Sequence, residues 1–303
     1  MLKTNNFGGY LSPGQKKIFF EEYDRRPAQF AQIFQEVDTE NRIGLPVSHL
    51  QGFGLWNRGE EGSTIPQSPL QESFLGAIFT ERYHKGYSIS WELFQDDHEG
   101  VLNGTRGNGG SARMLARGLR GTVETVAANV LSNGFTQIGF DGRPLFHAQH
   151  PFNAAAGSAS GSNLVTGALS ATTLRDACRL LRAQRDSSGT MAIGAVPEKL
   201  IVHADNEFTA RGIMLNNFDT AEAKNNKAET VPNMQIVVMD YLTDARNWFV
   251  KAQDIDNLFF VWRERPTFGS EKIQQSMDWF YYGYARFGAG HADWRGLVGS
   301  RGV

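Results

Sequence analysis

A glycine-rich loop is the first place where residue types and spacing could do chemistry. Gly104 and Gly109 are five positions apart and are followed by Gly110 and Ser111, a pattern similar to a nucleotide-phosphate loop. The lysine that such loops use to bind phosphate is missing, because Gly110 occupies its position, and no clear buried strand precedes the loop. We therefore interpret this segment as the entry to a helix, and we predict no cofactor.

Histidine and carboxylate side chains form the second group of chemical candidates. His147 and His150 are three positions apart, whereas metal-binding histidine pairs on helices are usually four positions apart. Three acidic residues lie between positions 96 and 99, where they could do acid–base chemistry. They suit equally well the positive end of a helix that follows them. We favour the helix interpretation and predict no metal site.

The single cysteine, Cys178, lies on the apolar face of a predicted helix, which favours packing over use as a nucleophile. One cysteine also excludes an intramolecular disulfide and a zinc site built on several thiolates. The Gly-x-Ser-x-Gly motif of serine hydrolases does not occur in the sequence. We therefore predict no catalytic residues and expect a protein that is not an enzyme.

Composition narrows the class of protein further. The chain has 303 residues, and its 30 Lys and Arg against 32 Asp and Glu give a net charge of −2. This balance excludes a polybasic nucleic-acid binder but permits a local basic face. No apolar run approaches the roughly 20 residues of a membrane span, and the first ten residues lack the pattern of a secretory signal. We expect synthesis in the cytoplasm and no membrane partner.

An arm of two short helices is predicted at the start of the chain. The second helix, beginning near residue 27, would place Phe30, Ile33, Phe34 and Val37 on one apolar face. Helices of about 11 residues are marginal in water, so this face must pack on something. It could dock on the chain's own core or on a neighbouring copy. We predict the neighbouring copy, which makes these four residues candidate contacts between subunits.

A long hairpin is predicted after the arm. Residues 51–73 are rich in glycine and polar residues, and two apolar segments follow at 74–79 and 87–93. An isolated two-stranded hairpin is barely stable in water, so this one needs a surface to lie on. We predict that it crosses a neighbouring subunit, with Phe74, Ile78 and Trp91 as further candidate contacts.

A helix from Ser111 to about Ser132 is the longest predicted element and would span roughly 30 Å. Its apolar stripe is predicted to comprise Leu115, Leu119, Val123, Val126 and Val130. The Asp141-Gly142 pair that follows between apolar residues predicts a tight hairpin.

Shorter elements complete the chain. Ser170 is predicted to cap a helix whose outer face carries four arginines, which we interpret as a solvated face, with nucleic-acid binding as the less favoured alternative. Buried strands are predicted from residue 199 onward, with a charged loop at 263–275. The mixture indicates an α+β fold.

Several segments, taken in order, resemble the major capsid proteins of tailed bacteriophages. Residues 86–93 resemble the return of their extended loop, and the helix at 111–132 is similar to their spine helix. Residues 140–151, with the Asp-Gly hairpin and its following histidines, resemble Mu-type major head subunits most specifically. Residues 282–300 resemble the end of that family, so the likeness extends over roughly residues 74–300.

This resemblance implies the Hong Kong 97-type capsid fold and a division of the chain into five parts. They are an N-terminal arm (1–48), an extended loop (49–96), a peripheral domain with the spine helix (97–190), an axial domain (191–256), and return strands with a C-terminal segment (257–303). The chain begins without a long scaffold-like segment, so any scaffold is expected to be a separate chain.

The resemblance also implies a function and partners. Hexamers and pentamers of the chain would form an icosahedral head shell around phage double-stranded DNA, contacted without sequence specificity, after assembly in the host cytoplasm. Expected partners besides the chain itself are a portal protein, a scaffolding protein and decoration proteins. No residue pattern supports a covalent crosslink between subunits.

Three alternatives remain open at the level of the sequence. The first is the shell of an encapsulin-like compartment, which would hold protein cargo without DNA. The second is a phage tail or baseplate protein, which would form rings or tubes. The third is a soluble hydrolase with an unusual site, which would form only a small oligomer, so particle size separates it from a shell protein.

Overall fold

The computed structural model describes residues 8–39, 42–50, 72–96, 110–154, 159–215, 231–276 and 278–302, together with scattered positions between 53 and 67. The helices are α1 (Gly8–Asp24), α2 (Trp91–Asp96), α3 (Ser111–Ser132), α4 (Ala171–Arg182) and α5 (Glu207–Leu215). The strands are β1 (Gln35–Asp38), β2 (Gly44–Leu50), β3 (Glu72–Phe79), β4 (Glu81–Ile89), β5 (His150–Pro151), β6 (Ser160–Gly161), β7 (Leu164–Val165), β8 (Pro197–Val202), β9 (Gln235–Val238), β10 (Trp248–Ala252), β11 (Leu258–Lys272), β12 (Trp279–His291) and β13 (Leu297–Ser300).

A four-stranded sheet in the order β1-β11-β12-β4 forms one half of the framework. Its centre is the long antiparallel pair β11–β12, while β1 joins β11 in the parallel direction. The predicted loop at 263–275 is wrong, because β11 runs through to Lys272. Two register shifts between Trp262 and Thr267 accommodate Pro266 within the strand, where an undisturbed ladder would not tolerate it. The middle of β11 carries exposed charged side chains, so its composition is similar to that of a loop.

A five-stranded sheet, β7-β13-β10-β8-β9, forms the other half and is buried on both faces. Trp248 and Val250 belong to a core with α4, whereas Phe249, between them, belongs to the core beneath α3. This alternation follows from the opposite directions of successive strand side chains. Helix α4 and strand β13 therefore pack with the predicted axial segment 191–256. The predicted division of the chain at residue 190 stays a prediction.

Helix α3 has the predicted bounds, and it joins the arm to both sheets. Its buried face differs from the predicted stripe: Val123 is fully buried, but Leu115, Leu119, Val126 and Val130 are only partly buried. The buried positions are otherwise mostly small, namely Ala112, Ala116, Ala127 and Ala128, with Leu131 and Glu124. Small side chains allow the neighbouring elements to approach the helix axis closely. A prediction based on large apolar residues therefore places the buried face part of a helical turn away from its actual position.

The arm docks on its own subunit. Helix α1 inserts Phe19 and Tyr23 into a small core with α3 and the β11–β12 pair. The predicted second helix is wrong, because the chain forms one 3₁₀ turn at Phe30–Gln32 and then enters β1. The spacing of its apolar residues fits an inward-facing turn followed by a strand as well as it fits a helix, and pairing with β11 decides between them.

The loop strands pair differently from the predicted hairpin. Strand β3 pairs with β2, and β4 pairs with β12 in the other sheet. Only Thr80 separates β3 from β4, and one residue is too short for a hairpin turn, so the chain passes directly from one sheet to the next. Trp91 begins helix α2 instead of continuing a strand.

We expect Leu131→Ala to lower the free energy of unfolding by about 2 to 5 kcal/mol, because Leu131 is fully buried and its truncation leaves a cavity. Met114→Ala on the same helix should change it by less than about 0.5 kcal/mol, because Met114 is 62% exposed. Urea denaturation of the unassembled chain measures both. Equal losses in the two variants would contradict the orientation of α3.

Candidate functional site

The strands β2 and β3, with the residues between them, form the loop hairpin. Seventeen large apolar side chains are exposed among the described residues, and seven of them lie between positions 43 and 79. They are Ile43, Phe53, Leu55, Trp56, Ile65, Leu75 and Phe79. Such a concentration in one stretch of the chain is typical of a surface that a partner covers.

The two faces of β3 have different roles. Phe74 lines a small cavity within the subunit, and Ile78 is 5% exposed. Leu75 and Phe79 point the other way and are 65% and 66% exposed. The sequence assigned Phe74 and Ile78 to contacts between subunits, but the structure turns them towards their own subunit. The exposed pair, Leu75 and Phe79, was missed, although strand alternation placed it on the opposite face.

Glycine explains which face of β3 turns inward. A Cβ atom on Gly76 would lie 1.9 Å from the ring of Phe140, and one on Gly288 would lie 2.1 Å from the carbonyl oxygen of Phe79. Gly76 therefore allows β3 to pack closely on Phe140, and Gly288 allows β3 to cross closely over β12. This role of glycine was readable in the sequence only once the crossing was known.

The other predicted contacts lie in or against the same subunit. Phe30, Ile33 and Phe34 are 1%, 3% and 4% exposed and belong to the core beneath α3. Val37 is partly buried in β1 opposite Val261. Trp91 is partly buried, and the ammonium of Lys272 lies 5.5 Å from its ring centroid. In this conformation the three arm residues Phe30, Ile33 and Phe34 are not available to a neighbouring copy.

A buried carboxylate holds the arm in this position. Glu124 of α3 is 3% exposed and accepts hydrogen bonds from the backbone N–H groups of Gln29 (2.9 Å) and Phe30 (3.1 Å). Burial raises the pKa of Glu124, while these two bonds act in the opposite direction by stabilising the carboxylate. The ring of Phe30 then packs 4.4 Å from the ring of Phe260, centroid to centroid. One glutamate thus connects the arm to the longest helix.

A group of histidines and aspartates lies where the loop hairpin meets the body of the subunit. His49 and Phe74 of the hairpin face Asp141, His150 and His291 across a small cavity. His49 contacts the carbonyl of Ala292 through Nε2, at 2.5 Å. The predicted turn at Asp141-Gly142 is present, with Gly142 at φ 75°, and it aims the Asp141 carboxylate at this group.

Two hydrogen bonds fix the ring of His150. Its Nδ1 lies 2.5 Å from Oδ2 of Asp141, and its Nε2 lies 3.1 Å from Oδ1 of Asn163. The amide of Asn163 is oriented by its own bonds: Oδ1 accepts from the His147 N–H, and Nδ2 donates to the Leu145 carbonyl. Both ring nitrogens of His150 therefore face acceptor oxygens.

Two pKa values in this group depart from their usual range in a consistent way. Burial lowers the pKa of His291 to about 4, against the opposing charges of Asp141 and Asp293. Burial by itself would raise the pKa of Asp141, but the hydrogen bond and charge of His150 lower it overall. Both shifts oppose protonation of the folded subunit.

The other chemical candidates form no reactive arrangement in the described part of the chain. Cys178 is buried, and burial raises the pKa of its thiol to about 11, so it stays protonated at neutral pH. No group of three or more His, Cys, Asp or Glu is arranged to hold a metal ion in the described ranges. Among the described helices, none combines the length and apolarity needed to span a bilayer.

Comparison with known proteins identifies the family. A family model described as phage capsid protein matches residues 76–300, about three quarters of the chain. The chain belongs to the phage capsid protein family. The predicted resemblance to tailed-phage capsid proteins is thereby confirmed, while the closer resemblance to Mu-type subunits stays a prediction. No relative among curated protein sequences matches this capsid protein.

Solved capsid structures share the fold. The mature capsid of bacteriophage PhiM1 has 12% sequence identity and a TM-score of 0.56, with 91% of this chain and 87% of that chain covered. The capsid of cyanophage P-SCSP1u has 10% identity and a TM-score of 0.59, with 88% and 85% covered. A virus-like particle from Pyrococcus furiosus has 12% identity and a TM-score of 0.50, with 95% and 97% covered. The predicted α+β capsid fold is confirmed.

We expect Glu124→Gln to destabilise the capsid protein by about 1 to 3 kcal/mol, because the two backbone N–H groups donate to different oxygens of Glu124 and the NH2 group of glutamine would replace one of these acceptors with a donor. Glu92→Gln on the exposed surface of α2 is the matched control. Urea denaturation measures both, and limited proteolysis near residue 27 should be faster only in the Glu124 variant. Unchanged stability of that variant would contradict the role of Glu124 in holding the arm.

Stability should fall as the pH is lowered from about 6.5 to 4. In this window the unfolded chain protonates His291 but the folded chain does not, so protons favour unfolding by up to about 3 kcal/mol. The lowered pKa of Asp141 adds a loss in the same direction at the acid end. Unfolding measured at several pH values should show a flatter profile for His291→Gln than for His84→Gln, whose histidine is exposed on β4.

Proposed function

We propose that this capsid protein is the major subunit of a phage head. Hexamers and pentamers of the chain would form an icosahedral shell that encloses double-stranded DNA. The observation that carries the proposal is the exposed apolar face of the loop hairpin in a chain of the phage capsid family. A subunit that must tile a shell needs such a face, because its contacts with neighbours have to be large.

The loop hairpin supports assembly through its energetics. Two strands by themselves bury too little apolar surface to be stable, so a hairpin depends on further packing. In the single subunit Leu75 and Phe79 face solvent, and their side chains are available for such packing. Covering these two side chains with a neighbouring subunit would contribute roughly 1.5 to 3 kcal/mol each before ordering costs. Head-to-tail repetition of one such contact closes into rings, as hexamers and pentamers require.

The arm enters this proposal in a revised role. Residues 27–38 supply core side chains and strand β1, so their deletion should unfold the subunit. The contacts with neighbours that we propose therefore centre on Leu75 and Phe79.

Partners and location follow from the proposed head shell. A portal protein, a scaffolding protein and decoration proteins are the expected partners, the DNA is contacted without sequence specificity, and the shell assembles in the host cytoplasm and becomes part of the virion. We propose a purely structural role without catalysis, since capsid proteins act by assembling.

An encapsulin-like compartment is the alternative within the same fold. The matching family model describes a phage capsid protein, which favours the phage head. Nucleic acid within purified particles supports that function, whereas protein cargo without DNA would contradict it.

We expect Leu75→Gln combined with Phe79→Gln to abolish shells without lowering the melting temperature of the unassembled chain. The reason is that both side chains are exposed in the subunit and covered only after assembly. Ile138→Gln combined with Phe208→Gln is the control, because these residues are 69% and 82% exposed but lie outside the loop hairpin. Negative-stain microscopy and size-exclusion chromatography measure shell yield.

The two variants give distinct outcomes. Shells at wild-type yield from the hairpin variant would contradict the assigned contact surface. A wild-type chain that stays a small oligomer under all assembly conditions would contradict the proposed function itself.

A further inference from the structure

An open cavity of about 460 Å³ lies where the end of α1 meets α3, and we call it the arginine cavity. Its lining consists of Arg25, Arg26, Arg117, Arg120, Glu22 and Tyr241. Four cations against one carboxylate give a formal charge of +3, whereas the whole chain carries −2. The rest of the chain must therefore carry −5, so the charge of this cavity is opposite in sign to that of the chain as a whole.

Glu22 orders the cavity without neutralising it. Its carboxylate accepts from Nε of Arg117 at 2.6 Å and lies 3.5 Å from Nη1 of Arg25. The hydrogen bond from Arg117 is the main reason that the pKa of Glu22 is lowered. Within the described residues, Arg26 and Arg120 have no carboxylate at ion-pair distance, although the carboxylate of Glu124 acts on Arg120 from farther away. Their guanidinium groups are therefore not occupied by a direct ion pair and can bind an anion.

The guanidinium of Arg120 is held in place by neutral partners. It lies 4.6 Å from the centroid of the Tyr23 ring and donates from Nη2 to the backbone carbonyl of Arg26, at 2.9 Å. Arg117 and Arg120 are three positions apart on α3, hence on one face of the helix.

We propose that the arginine cavity binds backbone phosphates of duplex DNA. This inference rests on the proposed function, since the proposed head encloses DNA, and it assigns the contact to named residues. Guanidinium groups bind phosphate oxygens in a two-pronged geometry that ammonium groups cannot match. An acidic protein segment fits less well, because protein partners usually anchor on apolar pockets, and Tyr241 is the single aromatic side chain in this lining.

The chain contains a closely matched control on α4. Arg25 and Arg26 follow the last turn of α1, both are exposed, and Arg25 pairs with an acid three positions earlier at 3.5 Å. Arg179 and Arg182 lie in the last turn of α4, both are exposed, and Arg179 pairs with Asp176 at 3.7 Å. The two arginine pairs thus share charge, exposure and helix position, but only the first lines the cavity.

The test uses the full chain, kept unassembled, and a fluorescein-labelled 30-base-pair duplex of mixed sequence, with anisotropy measured at stepwise salt concentrations. We expect Arg25→Gln combined with Arg26→Gln to weaken binding about tenfold or more at low salt. The slope of log affinity against log salt should become shallower by about one, because the phosphate contact of Arg26 is lost while Arg25 is paired with Glu22. Arg179→Gln combined with Arg182→Gln should leave affinity and slope as in the wild type.

Arg120→Gln tests the interior of the cavity, and its melting temperature shows whether any loss comes from misfolding.

Equal losses in the α1 and α4 variants would overturn the proposal, as would an α1 variant that binds like the wild type. Competition by poly-L-glutamate that removes DNA completely at equal charge concentration would instead indicate an acidic protein partner and would also overturn it. Normal shells from the α1 variant with unchanged DNA binding would reject this inference and leave the proposed function intact.

Discussion

Close packing along the small-residue face of α3 is the interaction on which the other elements depend. Ala112 and Ala116 allow α1 to approach the helix, and Ala127 and Leu131 contribute to the core that underlies the five-stranded sheet. A larger side chain at these alanines would hold the arm and sheets apart, and interiors packed at crystal density tolerate little added volume. The arm, the two sheets and the base of the loop hairpin thus share one support.

The loop hairpin, unlike α3, packs on the subunit through only one of its faces. Its inner face is fitted tightly to the body by Gly76 and Gly288, whereas its outer face exposes Leu75 and Phe79. The subunit therefore satisfies one side of β3 and leaves the other side to a neighbour. Such a subunit has a packed core and an apolar surface that is left exposed, as expected of a capsid protein.

Buried titratable side chains lie at the two junctions that position the arm and the loop hairpin. Glu124 connects α3 to the arm, and the Asp141–His150 pair lies beside the base of the loop hairpin. Buried ionic groups contribute less to net stability than to a unique arrangement when each one is fully hydrogen-bonded. The arm and hairpin are consequently fixed in position by a few polar bonds together with apolar packing.

Sequence reasoning alone predicted the fold class, the bounds of α3, the cap and inward face of α4, and the Asp-Gly turn. Each of these features depends on local periodicity or on residues close together in the chain. The capsid resemblance was also visible in the sequence, since it depends on the order of short segments. Tertiary structure decided the rest. The segment from residue 30 became a turn and strand because β11 was there to pair with it. Ile78 turned inward because Gly290 on β12 leaves room for its side chain. Arginines more than 90 positions apart met in one cavity because α1 packs on α3, and no local pattern encodes a contact between segments so far apart.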